Sequence, residues 1–213
     1  MDDPDITPPQ PTFCPAQSPG PQLVRSATYT ALQLFQLYFT SSVLQTIIQN
    51  TNEFGSKANS RWTVVTMEDM FSYMSLVIYM GVVKCSAHAD YWRQDQLYGL
   101  PFPRQVMSCR KFLRITRALH LSSLKADAAN EKKRGTAAYD RLSKIKPLYE
   151  EMREACKRNY QPRQEIAIDE RMVSSKASTG LPSKKGYRLF VLVDSTNWLH
   201  VGLLCLRGKA AGK

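Results

Sequence analysis

Apolar residues first recur at helical spacing in two groups, Leu32, Leu34, Phe35, Leu37, Tyr38 and Phe39, then Val43, Leu44, Ile47 and Ile48. Thr40-Ser41-Ser42 between them supplies an N-cap, so the pattern predicts two helices rather than one. Residues 54–61 lack a clear period and predict a loop. Thr66 ahead of Met67-Glu68-Asp69 is a further N-cap with early acidic residues, and the helix it starts is expected to run to about Met80 and end at Gly81. Its nearly uniform apolar surface implies a buried, central helix, in which Met67, Met70, Met74 and Met80 serve packing.

An aromatic connector follows, Asp90-Tyr91-Trp92-Arg93 and Pro101-Phe102-Pro103. Aromatics beside arginine either stack on bases or anchor a loop, and the pattern leaves both open. Ser108 caps the next helix, with Phe112, Leu113, Ile115, Thr116 and Leu119 as its apolar stripe and Arg110, Lys111, Arg114 and Arg117 on the remaining surface. A cationic stripe of this kind suits a phosphate backbone. Residues 122–138, with the basic triplet Lys132-Lys133-Arg134, read as a mobile linker; the triplet serves DNA contact, nuclear import or simple solvation. Residues 139–160 return to helical spacing, with a break or kink expected at Pro147.

The period then changes. Glu165-Ile166-Ala167-Ile168-Asp169-Glu170-Arg171-Met172-Val173 and Tyr187-Arg188-Leu189-Phe190-Val191-Leu192-Val193-Asp194 are short apolar runs rich in β-branched residues, flanked by Gly186 and Ser195-Thr196-Asn197. They predict two buried strands, each carrying a carboxylate near its end. Strand ends hold a carboxylate rigidly while leaving it open to solvent, so Asp169 is the first candidate for chemistry.

Composition changes this picture mainly through charge. The net +11 is uneven: residues 1–100 carry 5 Lys and Arg against 8 Asp and Glu, residues 101–213 carry 24 against 10. The second half thus favours a polyanion such as nucleic acid, since neutralising phosphates releases counterions; a solvated lysine-rich face is the other reading. Five widely spaced cysteines without a C-x-x-C pair argue against a disulfide framework and a structural zinc site, and fit a reducing compartment. The longest apolar run, residues 71–83, is too short to span a bilayer, and no membrane role is indicated. Residues 1–26, acidic and rich in proline, read as a disordered leader.

Ile168-Asp169-Glu170-Arg171-Met172 followed by a lysine, then Lys185-Gly186-Tyr187-Arg188-Leu189-Phe190-Val191-Leu192-Val193-Asp194-Ser195, resembles the piggyBac transposase family. Upstream landmarks in the family's order include Tyr79-Met80-Gly81-Val82, Asp90-Tyr91-Trp92, Leu119-His120-Leu121 and Asp140-Arg141-Leu142-Ser143-Lys144-Ile145-Lys146-Pro147, so the resemblance covers roughly residues 32–196. It implies a cut-and-paste DNA transposase whose RNase H-like sheet holds three aspartates and two Mg²⁺ ions. Asp169 matches the first of these, both catalytic residue and metal ligand. The family's second aspartate stands farther on, in a Cys-Asp-Asn-Trp-like motif, so Asp194 is expected to be structural, and a carboxy-terminally truncated, catalytically incomplete member is expected.

Lys176, Lys184 and Lys185 in the loop after the first motif join Arg110, Lys111, Arg114, Arg117, Lys132, Lys133 and Arg134 as DNA-binding candidates. That loop departs from the family at Lys176-Ala177-Ser178 and between Leu181 and Pro182, where a short basic segment is missing. Residues 197–209, read in a shifted frame, give a peptide like the family's continuation, which suggests a frame change near Asn197. The expected fold is α+β: the leader (1–26), a helical region for dimerisation and DNA binding (27–160), then the start of an RNase H-like antiparallel sheet (161–213). The expected partners are DNA and either a second copy or a full-length transposase, in the nucleus. Alternatives are a non-catalytic adaptor and a degenerate product without a selected role.

Overall fold

The computed structural model describes residues 12–97, 99–174, 186–196 and 199–206. The chain divides into two compact units, residues 32–151 and a second formed by the described residues of 1–31 and 152–213. The expected α+β class holds: helices dominate the first unit, antiparallel strands the second.

The helical unit contains α1 (Ala31–Gln36), α2 (Ser41–Ala58), α3 (Met67–Val82), α4 (Pro101–Val106), α5 (Cys109–Ala118), α6 (Leu124–Glu131) and the start of α7 (Lys146–Asn159). The side chains of Thr40, Thr66 and Ser108 accept from the backbone of Val43, Asp69 and Lys111, so the expected caps form. At Thr66 the cap is reciprocal, because Asp69 accepts from the Thr66 N–H. The core joins Val43, Leu44 and Ile47 of α2, Met70, Tyr73 and Leu76 of α3, and Phe112 and Ile115 of α5 with Val65 and Met107. Burying each of the larger aliphatic side chains contributes about 1.5–3 kcal/mol.

Four local expectations need correction. α2 continues through residues 54–58, where the sequence suggested a loop. Gly55 lowers helix propensity there for a packing reason: a Cβ at this position would lie 2.3 Å from the Trp62 ring, so only glycine admits the indole. α3 runs past Gly81, and Val83 closes it by donating to the Tyr79 carbonyl at 2.8 Å. Nor is α3 buried all round, since Val77, Ile78 and Val82 are 42%, 53% and 80% exposed.

Residues 124–131, read as linker, form α6. Ser123 caps it, and the Asn130 side chain donates to the Asp140 carbonyl and Ser143 Oγ while accepting from the Asp140 N–H. No residue of α6 is buried, so this helix rests on polar closure that leaves no apolar period. Pro147 behaves as expected of a breaker, standing in the first turn of α7, where its missing N–H costs nothing.

The connector aromatics are anchors. Tyr91 is buried, donates to the Val83 carbonyl and accepts from the Cys85 N–H, and Trp92 Nε1 donates to the Met107 carbonyl at 2.7 Å.

In the second unit, β1 (Gly20–Pro21) pairs antiparallel with β2 (Tyr160–Gln161), and the Gln22 N–H donates to the Asn159 carbonyl. Gly20 takes φ +121°, a conformation for which glycine is suited. These paired residues belong to the segment read as a leader; residues 1–11 lie outside the described residues. The main sheet is an antiparallel meander of β3 (Ile166–Ser174), β4 (Gly186–Asp194) and β5 (Leu199–Leu206) in that order. A bulge interrupts the β4–β5 ladder between Leu192 and Val193.

Candidate functional site

Asp169 lies on β3 opposite Val191, and Asp194 ends β4 opposite Ile166. Directly opposed residues share a face, and successive residues alternate. Asp194 therefore shares its face with Ile166, Ile168 and Glu170, whereas Asp169 belongs with Ala167, Val191 and Val193. The two carboxylates stand three steps apart along the ladder on opposite faces, so they do not converge on one ion.

Their surroundings differ as much. Asp169 is exposed. Asp194 is fully buried and accepts from Tyr160 Oη at 3.0 Å and from the backbone N–H groups of Arg163 and Thr196 at 3.1 and 3.0 Å, with the Arg163 guanidinium 3.6 Å away. Burial raises its pKa, but the Arg163 and Thr196 N–H bonds and the Tyr160 hydroxyl outweigh this and hold the carboxyl below the ordinary carboxylate range. Asp194 thus ties residues 160–163 to the end of β4.

Magnesium needs several hard oxygen ligands. Among the described residues no group of three or more His, Cys, Asp or Glu side chains lies together. Asp169 offers one carboxylate and Asp194 is committed to its own network, so the described residues alone do not fit a Mg²⁺ site.

The cationic candidates also separate. Arg110 and Arg117 are exposed on α5, and with Arg114 they follow the i, i+4, i+7 spacing that aligns side chains along one helix face. Lys111 instead reaches Asp69 at the start of α3, in an ion pair that is also a hydrogen bond. Partial burial raises the Asp69 pKa, but the Lys111 ammonium and the Thr66 N–H prevail and leave it lowered. Arg114 sits 5.5 Å over the Trp62 ring, and its Nη1 donates to Thr63 Oγ1 at 3.0 Å. Lys132, Lys133 and Arg134 are exposed just after α6, with Arg134 paired to Glu131 and 5.6 Å over the Tyr139 ring. Lys176, Lys184 and Lys185 lie outside the described residues.

Sequence reading did not find Trp62, Thr63 and Asn52 beside Arg114, nor Tyr160 and Arg163 around Asp194. Trp62 beside Arg61, close after Gly55, was the one available signal.

A three-stranded antiparallel meander with a carboxylate on its first strand, in a chain that also carries a capped helical bundle, has known counterparts. A sequence model of the Transposase IS4 family matches residues 30–213, and the chain belongs to that family. Among solved structures it is similar to a piggyBac transposase, determined by cryo-EM as a synaptic complex with hairpin DNA. The TM-score is 0.71 at 18% identity, and the match covers 92% of this chain and 42% of that one. The piggyBac resemblance read from the residues around Asp169 is borne out, and this chain spans less than half the length of the transposase it matches.

Proposed function

We propose that this chain is a transposase-related DNA-binding protein of the nucleus that holds duplex DNA by its phosphates along the Arg110, Arg114 and Arg117 face of α5. One observation carries the reading: these three arginines share a face while Lys111, on the same helix, is engaged by Asp69. The similar piggyBac transposase was solved on hairpin DNA, and the excess of basic residues after residue 100 supports the same partner. Phosphate contacts of this kind position DNA without reading its sequence.

The sheet from β3 to β5 fits the opening of an RNase H-like domain. In that role Asp169 supplies one carboxylate, and a working metal site would need further ligands from outside the described residues or from another chain. Cleavage is not expected from the described residues alone.

The test measures affinity for duplex DNA across a range of salt concentrations, with the Arg110→Gln/Arg117→Gln variant as comparison. Loss of two phosphate contacts should weaken binding to unrelated sequences alike and flatten the plot of log K against log salt by about 1.8. Unchanged affinity and slope would overturn the reading. In Mg²⁺, cleavage that disappears in Asp169→Ala would show that the metal site is complete.

A second reading is an adaptor that pairs with another copy or with a longer transposase. Val77, Ile78 and Val82, exposed together on the last turns of α3, favour it. A monomer at all concentrations in sedimentation, alone and mixed with a full-length transposase, would remove it.

A further inference from the structure

The surroundings of Arg114 are built to an unusual degree for an arginine at a surface. Trp62 lies flat against Gly55 of α2, at a distance that no side chain at 55 would permit. Its indole Nε1 donates to Asn52 Oδ1 at 3.0 Å. The same Asn52 oxygen accepts from the Val65 N–H at 2.8 Å, and the Asn52 amide donates to the Val65 carbonyl at 3.0 Å. Asn52 therefore closes the loop that carries Trp62 and Thr63 onto α2.

The guanidinium of Arg114 rests over this fixed indole and is tethered by Thr63. Its Nε is enclosed without an acceptor. Packing over the indole would be served as well by an aliphatic side chain, which encloses no N–H. What arginine adds is a planar, permanently charged group held in one orientation between Arg110 and Arg117 along the helix.

We infer that Trp62, locked by Asn52 and Gly55, is a positioning residue that presets the Arg114 guanidinium as the central phosphate contact of the α5 face. This rests on the reading of α5 as a DNA-binding face. A guanidinium ordered before binding loses less rotamer freedom when a phosphate arrives, so its contact is stronger than that of a free surface arginine. The neutral residue Trp62 thereby governs a charge contact it does not make.

The experiment is a double-mutant cycle on the full chain, reading duplex DNA affinity and its salt slope for Trp62→Leu, Arg114→Gln and both together, with thermal midpoints recorded in parallel. Arg114→Gln should lower the slope by about 0.9. Trp62→Leu should weaken binding several-fold and lower the slope in the same direction although net charge is unchanged. The double variant should bind no more weakly than Arg114→Gln. Additive losses, or a Trp62→Leu protein that binds as the parent does, would overturn the inference. If Trp62→Leu does not fold, Trp62→Phe takes its place in the same cycle; it removes the bond to Asn52 and part of the ring below the guanidinium, so a smaller loss in the same direction is expected, and binding like the parent would overturn the inference.

Arg110→Gln/Arg117→Gln separates the two levels. If that variant binds DNA like the parent, the α5 reading fails; if it binds weakly while Trp62 variants do not, only the positioning role fails.

Discussion

Among the described residues the two units differ in what their buried interiors contain. In the helical unit, α2, α3 and α5 meet through apolar side chains, with Leu44, Leu76 and Ile115 fully enclosed. In the strand unit the most buried groups include a charge, Asp194, and beside it Val191 and Val193. Meanwhile Ile166 and Ile168 of the same sheet are 50% and 64% exposed. Apolar burial is non-directional and tolerates small shifts, whereas a buried carboxylate must keep every donor in place. Among the described residues, the strand unit thus adds to its buried apolar groups one whose position is fixed by geometry as well as volume.

The largest expected effect comes from Leu76→Ala. It should destabilise the helical unit by about 2–5 kcal/mol, measured by denaturant unfolding monitored through helix content. A smaller loss would mean that the α2, α3 and α5 core is looser than its burial suggests. Asp194→Ala should act on the other unit, abolishing hydrogen-exchange protection of the Arg163 and Thr196 amides while leaving α2 and α3 protected. Retained protection would show that Asp194 is not what fixes these two amides.

Thr66→Ala removes one half of a reciprocal cap and should cost about 1 kcal/mol. The same cap predicts a pH dependence. Because the folded pKa of Asp69 lies below its ordinary value, its contribution is fully present above about pH 4 and is lost as pH falls through the folded value. Acid titration of Asp69→Asn should lack this component, and an unchanged acid limb would remove Asp69 from the account. Ile168→Thr, at an exposed strand position, should shift stability by no more than about 0.5 kcal/mol in thermal unfolding. A larger loss would mean that this face of β3 is covered in solution.

What could be read from the chain, and what could not, follows the same division. Thr40, Thr66 and Ser108 announce their helices because capping is local, fixed within three residues. The strands around Asp169 and Asp194 were visible in their β-branched runs, and the opposite faces of the two carboxylates followed only once the register was known. Lys111 looked equivalent to its arginine neighbours, since its partner Asp69 lies 42 residues away. Tyr160 and Arg163 gave no sign of Asp194, more than thirty residues on. α6 was missed for a different reason: a helix without buried residues has no period to detect.

Among the described strands β3 is hydrogen-bonded to β4 alone, so it stands at the edge of the described sheet. That edge is a template as well as a boundary. An extended segment paired along it would alter the water content and field around the Asp169 carboxylate. The setting of that carboxylate would thus change with whichever strand comes to lie next to it.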